Sequence, residues 1–396
     1  MKKILLSLLA LCAATSLWAY DFQSGLLYYN ILSDSTAEVT YQEFSSNGYS
    51  GTTSKTGSPN NYSTLTAVTI PETVTYNSKT YTVVAIGKYA FTQSYNYRFY
   101  SGYKDTLNYS SDVQNTQLTL INIPKTVKSI GYRAFSYCTA LKTVNFVGDG
   151  LESIAYEAFK WTSSLPVLSF PQTLKIIRNN AFYDSDLSGS VTIPDNVTSI
   201  GSYAFYRTNM ISLTIENAVT SIGNNAFSSC TSLTSVIIGN TVTSIGSSAF
   251  SSCTNLNSVI VGNAVTSIGD YAFSSCTSLT SATLGNSVAT IGSSAFYSCT
   301  SLPSITLPKS VKSVGVDAFA SCSKLTTVYS KPTTPPAIGS TGSFPSNTKT
   351  FYVPCGAAET YFLSDWVNFT TTFQEECDKK YIIYVNQDCT SSVVEE

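Results

Sequence analysis

Apolar residues fall at the same places over and over along most of this chain. The clearest stretch, Leu233 to Cys253, has apolar positions at Leu233, Val236, Ile238, Val242, Ile245, Ala249, Phe250 and Cys253. The next stretch repeats them at Leu256, Val259, Val261, Val265, Ile268, Ala272, Phe273 and Cys276. The dipeptide Ala-Phe marks the register, with phenylalanines at Phe91, Phe135, Phe159, Phe182, Phe205, Phe227, Phe250, Phe273, Phe296 and Phe319. From Phe159 onward the step is 23 residues, with one step of 22 between Phe205 and Phe227. A constant period of this size marks a solenoid, in which each repeat is one coil stacked on the last.

Within a coil the alternation at Val236 and Ile238 predicts a strand with alternate residues facing inward. Gly239, or Pro194 and Pro308 at the matching place, ends that strand. A second short strand is expected from Val242 to Ile245, closed by Gly246. The inward spacing of Ala249, Phe250 and Cys253 predicts one short helical turn. The expected fold is therefore a mostly β repeat solenoid with one helical turn per coil. Stacked coils lie about 4.8 Å apart, so the phenylalanines should pile face to face in an offset ladder.

The pattern L-x-x-V-x-I-[PG]-x-x-V-x-S-I-G-x-x-A-F-x-x-C resembles the BspA-like class of leucine-rich repeats over about residues 65 to 330. The resemblance implies a right-handed leucine-rich-repeat superhelix with β caps. It also implies an exported or surface-displayed bacterial protein. Some members of that class are regarded as adhesins for extracellular-matrix proteins or for other cells.

Domain organisation follows from where the period begins and ends. Met-Lys-Lys and the apolar run Ile4 to Trp18 read as a signal peptide over residues 1–19, cleaved after Ala19. Residues 20–64 form a predicted N-terminal β cap, with a hairpin around Ser33-Asp34-Ser35. Residues 65–330 hold about ten coils, the first carrying a hairpin around Asn77-Ser78. Residues 331–396 form a C-terminal cap and tail, opening on Pro332, Pro335 and Pro336 and containing Trp366. No other segment is long and apolar enough to cross a bilayer.

The step from Phe91 to Phe135 is 44 residues, so one coil carries an insertion at residues 92–117. It holds the candidate ligand-binding residues Tyr95, Tyr97, Arg98, Phe99, Tyr100, Tyr103 and Lys104. Tyrosine offers a rigid face and a polar tip, which suits recognition of protein or sugar. The alternative is a loop folded over the N-terminal coils with its rings spent on packing. A second candidate surface is the outward strand face, including Lys142, Asn145, Thr234, Ser235, Ile237, Ser258, Ile260, Ser281, Thr283, Ser304 and Thr306.

Composition narrows the function. Charged residues are 12% of the chain and the net charge is −2, so no basic footprint for nucleic acid exists. The chain has no histidine, which removes the common triads and His-based metal sites. The acids of the repeats do not gather at one coil position. No catalytic, cofactor-binding or metal residues are assigned.

Of the ten cysteines, Cys230, Cys253, Cys276, Cys299 and Cys322 share one coil position with Cys138. Other coils put Ser94, Thr162, Ser185 or Thr208 there. Parallel Cβ vectors disfavour bridging, so buried free thiols are expected, a core ladder beside that of Phe182, Phe205, Phe227, Phe250, Phe273, Phe296 and Phe319. Cys355, Cys377 and Cys389 lie outside the ladder, and their pairing stays open. The expected function is non-catalytic, exported or cell-surface, and adhesin-type, taking an extracellular protein or glycan. The alternative is a structural or glycan-capturing component of the bacterial outer surface. Oligomeric state is not readable.

Overall fold

The computed structural model describes residues 20–41, 62, 64–92, 114–348, 350–370 and 373–377, and the backbone of strands at 54–57, 95–98, 381–385 and 391–395. Residues 1–19, the expected signal peptide, lie outside the described residues. Two compact units are present, one of residues 1–151 with 161–164 and one of residues 152–160 with 165–396.

In the first unit, strands Leu27–Ile31 and Thr36–Thr40 pair antiparallel across the Ser33-Asp34-Ser35 turn. Thr36–Thr40 then pairs parallel to the first coil strand, Lys79–Ile86. Thr73–Tyr76 folds back on that strand through Asn77 and Ser78, which sit at φ 49° and 63°. Two left-handed residues in a two-residue loop suit the right-handed twist of a hairpin. The phenolic oxygen of Tyr62 accepts from Tyr28 N–H at 3.0 Å and donates to Thr40 O at 2.7 Å. Its ring lies 4.9 Å from Phe91, which stacks on Phe135 at 5.0 Å. Tyr62 thus closes the open end of the ring ladder.

The second unit is the regular solenoid. Successive coils from Ser188–Ile193 to Ser281–Thr283 contribute strands such as Asn209–Ile215, Ser235–Ile238 and Ser258–Ile260 to one parallel sheet. A two-residue strand such as Ser221–Ile222, Ser244–Ile245 or Ser267–Ile268 adds to a second parallel sheet. Like residues pair with like in both. Gly246 follows the second strand because a Cβ there would stand 2.7 Å from the backbone of Gly223 in the preceding coil.

Phe159, Phe182, Phe205, Phe227, Phe250, Phe273, Phe296 and Phe319 are all 0% exposed. Each ring stacks on the next, with Phe250 and Phe273 centroids 5.3 Å apart and 2° from parallel. The ladder runs one rung further. Phe344 stacks on Phe319 at 5.2 Å, and Ala337–Ile338 pairs parallel with Ser313–Val314. Ser343 stands where alanine precedes the other rings, and the step from Phe319 is 25 residues, so this rung departs from the motif.

The stretch expected as a helical turn is not helical. Ala249, Ser251 and Cys253 close successive turns onto Gly246, Ser248 and Phe250. The alternate residues Ser248, Phe250 and Ser252 donate instead to Asp270, Ala272 and Ser274 of the next coil. Ser248 and Ser252 take φ 55° and 60° to aim these groups outward along the stack. The inter-coil bonds offset the cost of a left-handed non-glycine residue.

Thr92 and Asn115, both inside the expected 92–117 insertion, are built into the coil. Thr92 Oγ1 donates to Ser136 O, and Asn115 is fully buried with Nδ2 donating to Phe91 O at 3.0 Å. Asn115 lies three residues before Leu118, as Cys138 does before Leu141, so Asn115 rather than Ser94 fills the cysteine position of this coil. Ser94 lies outside the described residues.

At the far end Phe344, Phe351, Trp366, Phe369 and Phe373 cover the last coil. Trp366 Nε1 donates to Pro336 O at 2.8 Å. Helix Ala358–Phe362 supplies Tyr361, whose hydroxyl reaches Pro332 O and Ser330 Oγ, both at 2.8 Å. Cys355 and Cys377 form a disulfide that ties strand Thr350–Pro354 to strand Phe373–Glu376. Cys389 lies outside the described residues. Strand Tyr381–Val385 pairs antiparallel with Ser391–Glu395.

Candidate binding surface

The outward face of the second unit's longer strands is set by register. Ser212, Ser235, Ser258 and Ser281 pair in one row, and Thr214, Ile237, Ile260 and Thr283 in another. Ile237 and Ile260 are 47% and 50% exposed, an apolar pair within a hydroxyl-bearing face. Many hydroxyls are already engaged by the preceding coil: Thr234 Oγ1 donates to Ile211 O at 2.9 Å and Thr280 Oγ1 to Asn257 Oδ1 at 2.7 Å. In the following sheet Thr306, Tyr329 and Tyr352 are in register. The two tyrosine rings stack at 4.9 Å, with Lys331 over Tyr329 and ion-paired to Glu376.

A different surface lies along the turns. Tyr183 and Tyr206 stack at 4.8 Å, and Tyr203 meets Tyr206 edge-on at 5.6 Å. Arg207 lies 5.6 Å over the Tyr206 ring and 3.6 Å from Asp184. Lys160 lies 5.1 Å over Tyr183 and pairs with buried Glu157 at 3.1 Å. Burial, then Tyr206 and Asp184 nearby, pushes the Tyr183 phenol up. The matching positions of the next three coils are Ser228, Ser229, Ser251, Ser252, Ser274 and Ser275, before Tyr297 returns. This cluster is absent from the candidates drawn from sequence. Its signal is the switch from Tyr, Asp and Arg to Ser next to the ladder phenylalanines.

The inserted candidates are only partly brought together. Tyr95–Arg98 forms a strand antiparallel to Ser54–Gly57, with Tyr97 opposite Lys55 and Arg98 opposite Ser54. Phe99, Tyr100, Tyr103 and Lys104 lie outside the described residues.

The acids of the coils serve structure. Glu152 pairs with Lys175 at 2.8 Å, Asp195 accepts from Asn217 N–H, Asp270 accepts from Ser293 N–H, and Asp317 accepts from Ser340. Among the described residues one cluster has metal-ligand spacing, Cys355, Glu375 and Cys377. Its two sulfurs are consumed by the disulfide. No helix among the described residues is long and apolar enough to cross a membrane.

These coils match a known repeat family. The match is to the BspA type leucine-rich repeat region, in six copies over residues 60–145, 108–234 and 220–340. The chain belongs to the BspA type leucine-rich repeat family. Among solved structures it is similar to a leucine-rich repeat protein from Bacteroides ovatus, at 26% identity over 90% of this chain and 100% of that one, with TM-score 0.35. It is also similar to a leucine-rich cell surface protein from Faecalibacterium prausnitzii, at 22% identity over 80% and 96%, TM-score 0.34. The pneumococcal vaccine antigen PcpA gives 15% identity over 87% and 96%, TM-score 0.37. No curated protein matches.

Proposed function

We propose that this BspA-type repeat protein is an exported, non-catalytic binding protein that recognises proteins on host or neighbouring cells. The observation that carries the reading is the turn-edge cluster of Tyr183, Tyr203, Tyr206 and Arg207. Tyrosine and arginine concentrate at the energetic centres of protein interfaces, where rigid rings bury area at low entropy cost. The strand Tyr95–Arg98 adds inserted residues of the same types to the reading. Membership of the BspA type family supports a place outside the cell or at its surface.

The test is an array of extracellular-matrix and bacterial surface proteins probed with residues 20–396. Tyr203→Ala with Arg207→Ala should weaken the strongest signal at least tenfold. A deletion of residues 93–113, which spares Thr92 and Asn115, separates the insertion from the turn edge. A strongest signal unchanged by either alteration would remove both surfaces from the proposal.

A further inference from the structure

Between the outward row of Thr214, Ile237, Ile260 and Thr283 and the turns that follow runs an open groove of about 540 Å³. It crosses four successive coils, along the stack rather than along any strand. Its floor is Gly239, Gly262 and Gly285, where other coils carry Pro194 or Pro308. These glycines lie directly on the coil before them: a Cβ at Gly262 would stand 2.1 Å from Gly239 O. The glycines thus let the coils stack closely and leave the floor without side chains.

The far bank is a row of exposed asparagines, Asn217, Asn240, Asn263 and Asn286. Asn217 Oδ1 accepts from Asn240 N–H at 3.3 Å, Asn240 Oδ1 from Asn263 N–H at 2.8 Å, and Asn263 Oδ1 from Asn286 N–H at 3.1 Å. These bonds engage Oδ1 of Asn217, Asn240 and Asn263, so the Nδ2 donors are the groups these amides can offer a ligand. Apolar Ile237 and Ile260 face them from the other bank. Glu216 at one end is the only formally charged lining residue.

We infer that this groove holds a neutral linear polysaccharide, one sugar ring per coil. The inference rests on the reading of the chain as a binding protein, though not on its protein partner. A pyranose has an apolar face for the isoleucines and equatorial hydroxyls for the amide donors. The asparagine row recurs at each of the four coils, about 4.8 Å apart, with isoleucine opposite it at the two central ones, so a polymer of like units meets repeated chemistry along the stack. An extended peptide presents like-facing side chains about every 6.8 Å and falls out of register with the coils. Near-neutral lining selects against anionic chains, which would need basic partners.

The test is affinity electrophoresis of residues 20–396 through gels containing xylan, mannan, mixed-linkage β-glucan or dextran, with alginate as the anionic comparison. At least one neutral linear chain should retard the protein and alginate should not. Affinity for its oligosaccharides should rise with length up to four rings and then level off. Asn240→Asp with Asn263→Asp keeps each Oδ1 acceptor, as Asp195 does in the same row for Asn217 N–H. This variant should melt like the parent and lose retardation at least tenfold, while any protein ligand bound at the turn edge is retained. No retardation by any neutral chain, equal retardation by alginate, or retardation unchanged in the double variant would overturn the inference.

Discussion

The Cys253 thiol donates a hydrogen bond to the carbonyl oxygen of Phe227, 3.2 Å away in the preceding coil. The same bond joins Cys276 to Phe250, Cys299 to Phe273 and Cys322 to Phe296. The cysteine position is thus a cross-coil hydrogen-bond site, and its size matters. Ser185 occupies it with a C–O bond shorter than the thiol's C–S bond, and its buried Oγ finds no partner.

Ser185→Cys should therefore stabilise the protein. The sulfur reaches the preceding coil and replaces a buried hydroxyl that lacks a bond, a change of about 1 kcal/mol. The reverse substitution, Cys253→Ser, should destabilise by about 1–3 kcal/mol. Urea midpoints decide both. A lower midpoint for Ser185→Cys would show that bond reach does not explain why cysteine recurs here.

The phenylalanine ladder carries a larger share of stability. Phe273 is fully buried between Phe250 and Phe296, with centroids at 5.3 and 5.2 Å. Phe273→Ala removes a ring that touches both neighbours and leaves a cavity mid-stack, so it should cost about 3–5 kcal/mol. Denaturant melts measure this directly, and a cost below about 1 kcal/mol would place the ring outside the energetic core.

Coil period, core positions and both hairpins are legible in the sequence because each rests on side-chain alternation or on turn residues with a strong φ preference. Other features are not. Ala249, Phe250 and Cys253 are spaced as on a helix, yet serial turns present the same face. Only the bonds from Phe250 N–H to Ala272 O and its neighbours distinguish the two, and those partners lie in another coil. Asn115 is hidden because an insertion separates it from Phe91, and only packing brings its amide to the Phe91 carbonyl. The coil step puts Tyr183 beside Tyr206, but that their rings stack beside the ladder depends on the turn geometry after each ladder phenylalanine. The choice of Cys355 with Cys377 needs two strands in register, which spacing among three cysteines does not supply.

Chemical labelling separates the two classes of cysteine. Cys138, Cys230, Cys253, Cys276, Cys299 and Cys322 are buried free thiols, whereas Cys355 and Cys377 are bonded. Alkylation without reductant should leave the ladder thiols untouched in folded protein and modify all six in denaturant. Cys355 and Cys377 should react only after reduction. Ladder cysteines that stay unmodified in denaturant would mean they are cross-linked.

Buried thiols such as Cys253, Cys276 and Cys299 also make stability depend on alkaline pH. Burial pushes the Cys276 thiol up to about 12 from an ordinary 9.0. Burial, with its bond to Cys230, raises Cys253; the bond to Cys322, then burial, raises Cys299. The folded state therefore holds these protons more tightly than the unfolded chain does. Their contribution is complete below about pH 9 and declines as pH rises toward 12, by about 1.4 kcal/mol per pH unit for each such thiol. Buried tyrosines such as Tyr361, pushed up to about 12 by burial, add a further decline only above pH 10. Guanidinium melts at pH 8, 9, 10 and 11 should show stability falling from the first unit above 9. Cys276→Ala should be less stable at pH 8 but fall less steeply between 9 and 10, since one proton-linked group is gone. Parallel curves for parent and variant would mean that the Cys276 thiol ionises as readily in the folded coil as in the open chain.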